Sequence, residues 1–343
     1  MRPASPARGF TLIELLVVVA ILSAASLLAF AGLGEDRAQL RYDDTRQRLQ
    51  HLRAAILGDT ALAGYIADNG RLPGSIADLL GPGELRERAA LSPLFVPAPD
   101  ASSCSGDSGI ALTDNGALLI KGHRGDYLGG RAVNGRFRDG WGNVGSADDA
   151  ANSGWATVLN APTLHISSLG ADNAAGGSDY AADQTLAISA NDWSLPIAGW
   201  TVTVNNARLG SDAANDIPAG RLSVSLLVFV NDSDGGQWRR YASAALPCLD
   251  GNGDGEVDGL ACARSASVAF GDGCQPGVAD AELGRIPQGR HLLVLTDNGS
   301  DGQPWTADDL VSGGATLRAS TPIYKQIDAI AGHNLPAVTL EIR

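Results

Sequence analysis

Nothing later in the chain limits its folding as much as the first 34 residues. Residues 1–9 (MRPASPARG) carry Arg2 and Arg8 and no acid, and from Phe10 through Gly34 the single ionisable side chain is Glu14. Leu15 to Leu33 alone gives 19 residues without a charge, close to the roughly 20 that cross a hydrocarbon core at 1.5 Å per residue. A cleaved secretory signal would place small residues after the apolar run. Here Ala, Ser and Gly are scattered through it, so the segment is expected to stay in the protein as a single span. With Arg2, Arg8 and the α-amino group on one side, the positive-inside rule puts the first residues in the cytoplasm. For a bacterial chain the remainder then lies across the inner membrane, in the periplasm. Glu14 is the exception to the apolar pattern: a carboxylate inside a lipid-spanning helix costs about 2.5–3.5 kcal/mol and needs a partner or a proton. Its position near the helix end also allows it to snorkel to the interface.

The stretch Gly9-Phe10-Thr11-Leu12-Ile13-Glu14, with the apolar run behind it, resembles the leader junction of type IV prepilins and type II secretion pseudopilins. The shared features are a short basic leader ending in Gly, an aromatic first mature residue, and Glu fifth in the mature chain. The resemblance implies that a prepilin peptidase/N-methyltransferase cuts between Gly9 and Phe10 and methylates the new amino group of Phe10. It also implies that Glu14 meets that amino group on a neighbouring subunit, setting the axial register as subunits leave the bilayer lipid.

Beyond Gly34, Tyr42, Thr45, Leu49, Leu52 and Ile56 recur at three- and four-residue spacing and form one helical face, with Arg41, Asp43, Asp44, Arg46, Arg48 and Arg53 mainly elsewhere. Asn69-Gly70 and then Pro73 supply a stop. The pattern predicts a helix from Phe10 to about Asp68, about 90 Å long, with a soft point at Gly32 and Gly34 and its outer half on a sheet. Gly58 and Gly64 interrupt the heptad-like face too early for a coiled coil. Asp68-Asn-Gly-Arg-Leu-Pro73, Asp126-Tyr127-Leu128, Asp139-Gly-Trp-Gly-Asn143 and Ser168-Leu-Gly-Ala-Asp172 resemble, in order, elements of the type II secretion major pseudopilin. Leu72 and Gly140 depart from that family's Tyr and Pro, and the likeness ends near residue 190. It implies a Ca²⁺ site after the last element, formed by the carbonyl of Leu169 with Asp172, Asp179 and Asp183, although these acids do not keep the family's spacing.

A second acidic loop is read from its own residues. Asp250, Asn252, Asp254 and Asp258 occupy the first, third, fifth and ninth positions of a calcium-loop template with Gly255 sixth, but Ala261 stands where the bidentate acid belongs. Asp297-Asn-Gly-Ser-Asp301-Gly302 fits that template less well and reads as a turn. Calcium would act structurally, neutralising clustered carboxylates.

From Trp193 onward, period-two runs such as Trp200–Val204, Leu222–Val230, Leu292–Leu295 and Val338–Ile342 predict strands in an antiparallel, sandwich-like module. The fold class is therefore α+β: a long N-terminal helix packed on a small antiparallel sheet with Gly/Asp-rich loops, then a mainly-β module. The divisions are a leader at 1–9, a transmembrane and assembly helix at 10–34, a pilin-like periplasmic domain at 35–190 and a β-rich module at 191–343. Cys104, Cys248, Cys262 and Cys274 allow three pairings in an oxidising compartment. A Cys248–Cys262 bridge would close the Asp250 loop, while Cys262–Cys274 remains an alternative.

The chain has 44% apolar residues, enough for a core. Its net charge of −13 repels phosphate backbones and excludes nucleic acid as a partner. No G-x-S-x-G, H-E-x-x-H or phosphate-cradling loop occurs, and five His are dispersed, so no enzyme is expected. The expected role is a structural subunit, pseudopilin or minor pilin-like, that assembles with other pilin-like subunits. The alternative is a membrane-anchored binding or adhesion module presented on a pilin-like stalk.

Overall fold

Thr11 opens helix α1 (Leu12–Leu57), whose 46 residues give a rod of about 69 Å. The computed structural model describes residues 11–59, 63–81, 87–91, 110–112, 119–133, 135–143, 154–232, 235–271, 284–303 and 308–343; within these, the side chains of 27–35, 87–91, 110–112, 232, 235 and 237 lie outside the description. α1 runs unbroken through Gly32 and Gly34, so the expected soft point is absent. It also stops at Gly58 rather than near Asp68. Gly58 has φ +89, and Gly64 lies so close that a Cβ there would strike the Gly58 backbone. The chain doubles back through this pair and resumes as α2 (Tyr65–Asn69), which Gly70 ends in the left-handed region. Apolar spacing carries across the break; the two glycines decide against a continuous helix.

The predicted helical face is the buried one. Thr45, Leu49, Leu52 and Ile56 are buried, and the face joins Tyr65, Ile66, Leu72, Ile76, Phe137, Trp155, Leu164 and Ile166 in one core. Strands β1 (Glu87–Leu91), β2 (Ile110–Leu112) and β3 (Leu119–Lys121) form an antiparallel sheet in the order β2-β1-β3. The sheet against α1 is β4 (Trp155–Asn160), β5 (Thr163–Ser168) and β6 (Gln184–Ile188), antiparallel with β5 central. Its burial alternates along β5, as a strand covered on one face requires.

The remaining strands are β7 (Ser194–Pro196), β8 (Thr201–Asn206), β9 (Leu222–Asp232), β10 (Gly235–Ala242), β11 (Glu256–Val257), β12 (Leu260–Ala261), β13 (Ser265–Ala269), β14 (Arg285–Pro287), β15 (Gly289–Asp297), β16 (Tyr324–Ala329) and β17 (Val338–Ile342). Four form the sheet β10-β9-β15-β16 and three the sheet β13-β8-β17. Val202, Val204, Leu340 and Ile342 from the second meet Val224, Leu226, Val228, Leu293 and Leu295 from the first in one core. One pairing departs from the antiparallel expectation: β17 runs parallel to β8. The long return from β16 to the chain end enters from the same side as β8, which no period-two pattern encodes.

The opposite face of the four-stranded sheet is also covered. Leu227, Phe229, Trp238, Leu292 and Val294 pack with Val311 and with Leu119 of β3. Lys121 Nζ donates to the Ala67 carbonyl (2.6 Å), Asn231 Nδ2 to Asn69 Oδ1 (3.0 Å), and Gln288 Nε2 to the Leu57 carbonyl (2.6 Å). Arg71 Nε donates to the carbonyl of Asn231. Gly70 and Gly289 make the approach possible: a Cβ on Gly70 would collide with the Phe229 carbonyl, and one on Gly289 would press on Ala67.

Candidate functional site

The first turn of α1 is tied by two side chains. Thr11 Oγ1 accepts from the Glu14 N–H (3.3 Å), and Glu14 Oε2 accepts from the Thr11 N–H and hydroxyl (3.0 Å each). This is a capping box, in which Glu14 also sits at the positive end of the helix dipole. The carboxylate is thus positioned by its own chain at the tip of the rod. The Thr11-x-x-Glu14 spacing is its sequence signal, and Thr11 is the partner that reading Glu14 as an isolated charge passes over. Gly9 and Phe10 lie outside the described residues.

Above that tip the helix is apolar on every side. Leu12, Ile13, Leu15, Leu16, Val17, Val18, Val19, Ile21 and Leu22 are all exposed, from 47% to 79%. Ser23 and Ser26 turn their hydroxyls onto the carbonyls of Val19 and Leu22 (2.7 Å each). Both therefore satisfy their donors within the helix and need no water. An all-round apolar surface belongs in lipid or against other subunits. The expected span Leu15–Leu33 lies partly outside the described side chains, and among the described residues no helix is long and apolar enough to cross a membrane.

The later motifs converge on α1. Asp139 is buried and accepts from the N–H groups of Gly142 (2.8 Å) and Asn143 (3.0 Å), from Asn143 Nδ2 (3.0 Å) and from Ser168 Oγ (2.7 Å). Asn143 Nδ2 also reaches the Gly170 carbonyl (2.8 Å). The Asp139–Asn143 and Ser168–Asp172 elements are therefore joined by one carboxylate, which was not among the candidate site residues. Gly140 donates to Thr45 Oγ1 (3.0 Å), and a Cβ there would strike the Arg41 carbonyl, so glycine permits contact with α1. Beyond Gly170, Tyr180 donates to Gln39 Oε1 (3.1 Å) and packs on Tyr42.

Leu169 leads into that loop directly after β5. Of its acids, Asp172 accepts from Ala174 N–H (3.2 Å), Asp183 from Gly176 N–H (3.0 Å), and Asp179 holds φ +52. In the second loop, Asp250 accepts from Gly253 (2.6 Å) and Gly255 (3.2 Å), Asn252 from Asp254 (2.8 Å), and Asp254 from Glu256 (2.8 Å). Asp216, on a different loop, accepts from the N–H groups of Gly251 and Asn252. Asp258 turns the chain at φ +51 ahead of Gly259. These donors are hard oxygens of the kind calcium takes, but among the described residues no group of three or more His, Cys, Asp or Glu is gathered to hold a metal ion. Cys248 and Cys262 are bridged, Cα–Cα 5.6 Å, closing the second loop; Cys104 and Cys274 lie outside the described residues.

The mainly-β module holds buried polar groups that period-two reading does not reveal. Arg240 and Asp309 are fully buried and paired at 2.8 Å, with Arg240 Nε donating to Ser225 Oγ (2.9 Å). Burial pushes the Arg240 guanidinium below its usual range, and drives His291, whose Nε2 lies 2.7 Å from the Pro287 carbonyl, down to about 3. His291 is therefore neutral and structural at any physiological pH. In the first half of the chain, burial raises the Tyr127 phenol to about 12; its hydroxyl donates to Asp68 Oδ2 (3.1 Å) and accepts from Asn69 Nδ2 (3.1 Å).

Residues 5–30 match the prokaryotic N-terminal methylation motif. That motif, with the capped and exposed apolar helix it occupies, implies a type IV pilin-like protein that is membrane-anchored, processed by prepilin peptidase and assembled with other pilin subunits. No curated protein and no solved structure matches the chain.

Proposed function

We propose that this chain is a non-catalytic, low-abundance subunit of a type II secretion or type IV pilus-like filament, a pseudopilin or minor pilin that takes part in protein secretion or filament assembly. The observation that carries the reading is the methylation motif on a helix that is apolar all round and bears one carboxylate, fixed in its first turn. Held by Thr11, Glu14 would be neutralised by the methylated Phe10 amine of a neighbouring subunit. The anchor is a single span of the inner membrane with the N-terminus cytoplasmic and the β-rich module periplasmic. The large second module supports a minor position, because a subunit repeated along a tightly packed filament has little room for it. Calcium is proposed as its structural ion, which the acids of the loops around Asp172–Asp183 and Asp250–Asp258 would have to draw together to hold, because among the described residues no three of them are gathered.

Intact mass of membrane-extracted protein tests processing: loss of residues 1–9 and one added methyl group are expected. Glu14→Leu should insert in the membrane at the wild-type level and fall at least about tenfold in filament incorporation, as expected if insertion favours losing the charge while assembly requires it. Incorporation at the wild-type level would remove the proposed role of Glu14 in register.

A further inference from the structure

A cleft of about 410 Å³ opens where the two halves of the molecule meet, beside the residue that follows α2. Its walls combine three arginines, Arg71, Arg239 and Arg285, with the apolar surfaces of Trp193, Pro162 and Pro287. Among the described residues no carboxylate lines it, although the chain has 38 acids against 25 lysines and arginines. Asp192, next in sequence to Trp193, is taken by Arg53 at 2.8 Å.

The three arginines are held differently. Arg285 is fixed by Ser194 Oγ (2.8 Å), the Ser194 carbonyl (2.7 Å) and Asn191 Oδ1 (2.9 Å). Arg71 is fixed by the Asn231 carbonyl and lies over the Tyr65 ring. Both are bound to neutral groups, and among the described residues no acid offsets their charges. Arg239 has a buried Nε without a hydrogen-bond partner. A folded protein rarely leaves a buried donor unpaired, and gathers like charges only where something offsets them. The Trp193 indole donates to the Pro162 carbonyl (2.9 Å), which fixes that wall of the cleft.

We propose that this cleft is a ligand site for a carboxylate carried on an apolar or aromatic body. Its volume is that of a small-ligand pocket. A carboxylate would accept the free donor of Arg239 and offset the neighbouring guanidinium charges, while the ligand's body lies against Trp193, Pro162 and Pro287. The carboxylate comes either from a free organic acid or from the C-terminus of a short peptide.

Calorimetric titration of the full-length protein in detergent micelles tests this, with 3-phenylpropionate and N-acetyl-leucyl-phenylalanine as probes and the neutral amide of each as control. At least one acid should bind saturably, and its amide should bind about tenfold more weakly or not at all. If the small acid alone binds, the source is a free acid; if the peptide alone binds, it is a C-terminus. Arg239→Met should weaken binding by about tenfold or more with no fall in unfolding temperature, because among the described residues the Arg239 side chain makes no hydrogen bond to lose. Arg239→Lys should recover part of the affinity. Failure of both acids to saturate, equal binding of acid and amide, or unaltered binding by Arg239→Met would each overturn the proposal.

Discussion

Single atoms set the terms at two places. Gly70 holds φ +70 with the Phe229 carbonyl where a Cβ would go, so Gly70→Ala combines a left-handed backbone cost with a collision. It should cost about 2 kcal/mol or more, read as a lower denaturation midpoint. Gly74, whose space is open except for the Asp78 carboxylate at 3.5 Å, is the control and should tolerate Ala much better. Asp192 makes the second case. The Ser189 hydroxyl first, and then Arg53, hold its carboxyl at about 2 against an ordinary 3.8. A carboxyl depressed in the fold contributes stability above pH 3.8 that fades as pH falls through about 2. Because the group is only half-buried, water limits the size of that contribution. Ser189→Ala should raise the Asp192 titration midpoint toward 3.8, seen by carboxyl NMR; an unmoved midpoint would show that the hydroxyl is not the cause.

At the scale of elements, the loop closed by Cys248 and Cys262 is the most testable. The bridge spans a sequence separation of 14, for which loop closure is worth about 3 kcal/mol. Reduction should therefore lower the unfolding temperature markedly. Calcium should raise that temperature in the oxidised protein, and Asp250→Ala should blunt the rise; no response to calcium in the oxidised wild type would remove the ion from this loop. The elements also show what could be read in advance. The α1 face from Tyr42 to Ile56 was legible because burial on one side writes a 3.6-residue period, and β8, β9, β15 and β17 were legible because sheets write a period of two. The break at Gly58 was not, since a glycine inside an apolar pattern is compatible with both a kink and a continued helix. The Arg240–Asp309 pair and the carboxylate of Asp139 stayed hidden for another reason: their partners are far away in sequence, and only the folded chain brings them together. Glu14 stood out because charge is rare in an apolar run, whereas its tie to Thr11 needed the local helix start to be recognised.

Across the whole molecule, the seam between α2, β3 and the four-stranded sheet joins two cores that the sequence places in separate regions. Leu119 from the first half covers Phe229, Trp238 and Leu292 of the second, while Asn69, Arg71 and Leu57 take part in hydrogen bonds across it. Unfolding should accordingly be a single cooperative transition, with far-UV ellipticity and tryptophan fluorescence coincident. Two separated transitions would show that the seam is weak. The same seam sets a rule for protein engineering. A graft of residues 194–343 onto a foreign stalk would carry a bare apolar sheet face with it, and would aggregate unless the helical turn at 65–70 and the short strand at 119–121 were transplanted as its lid.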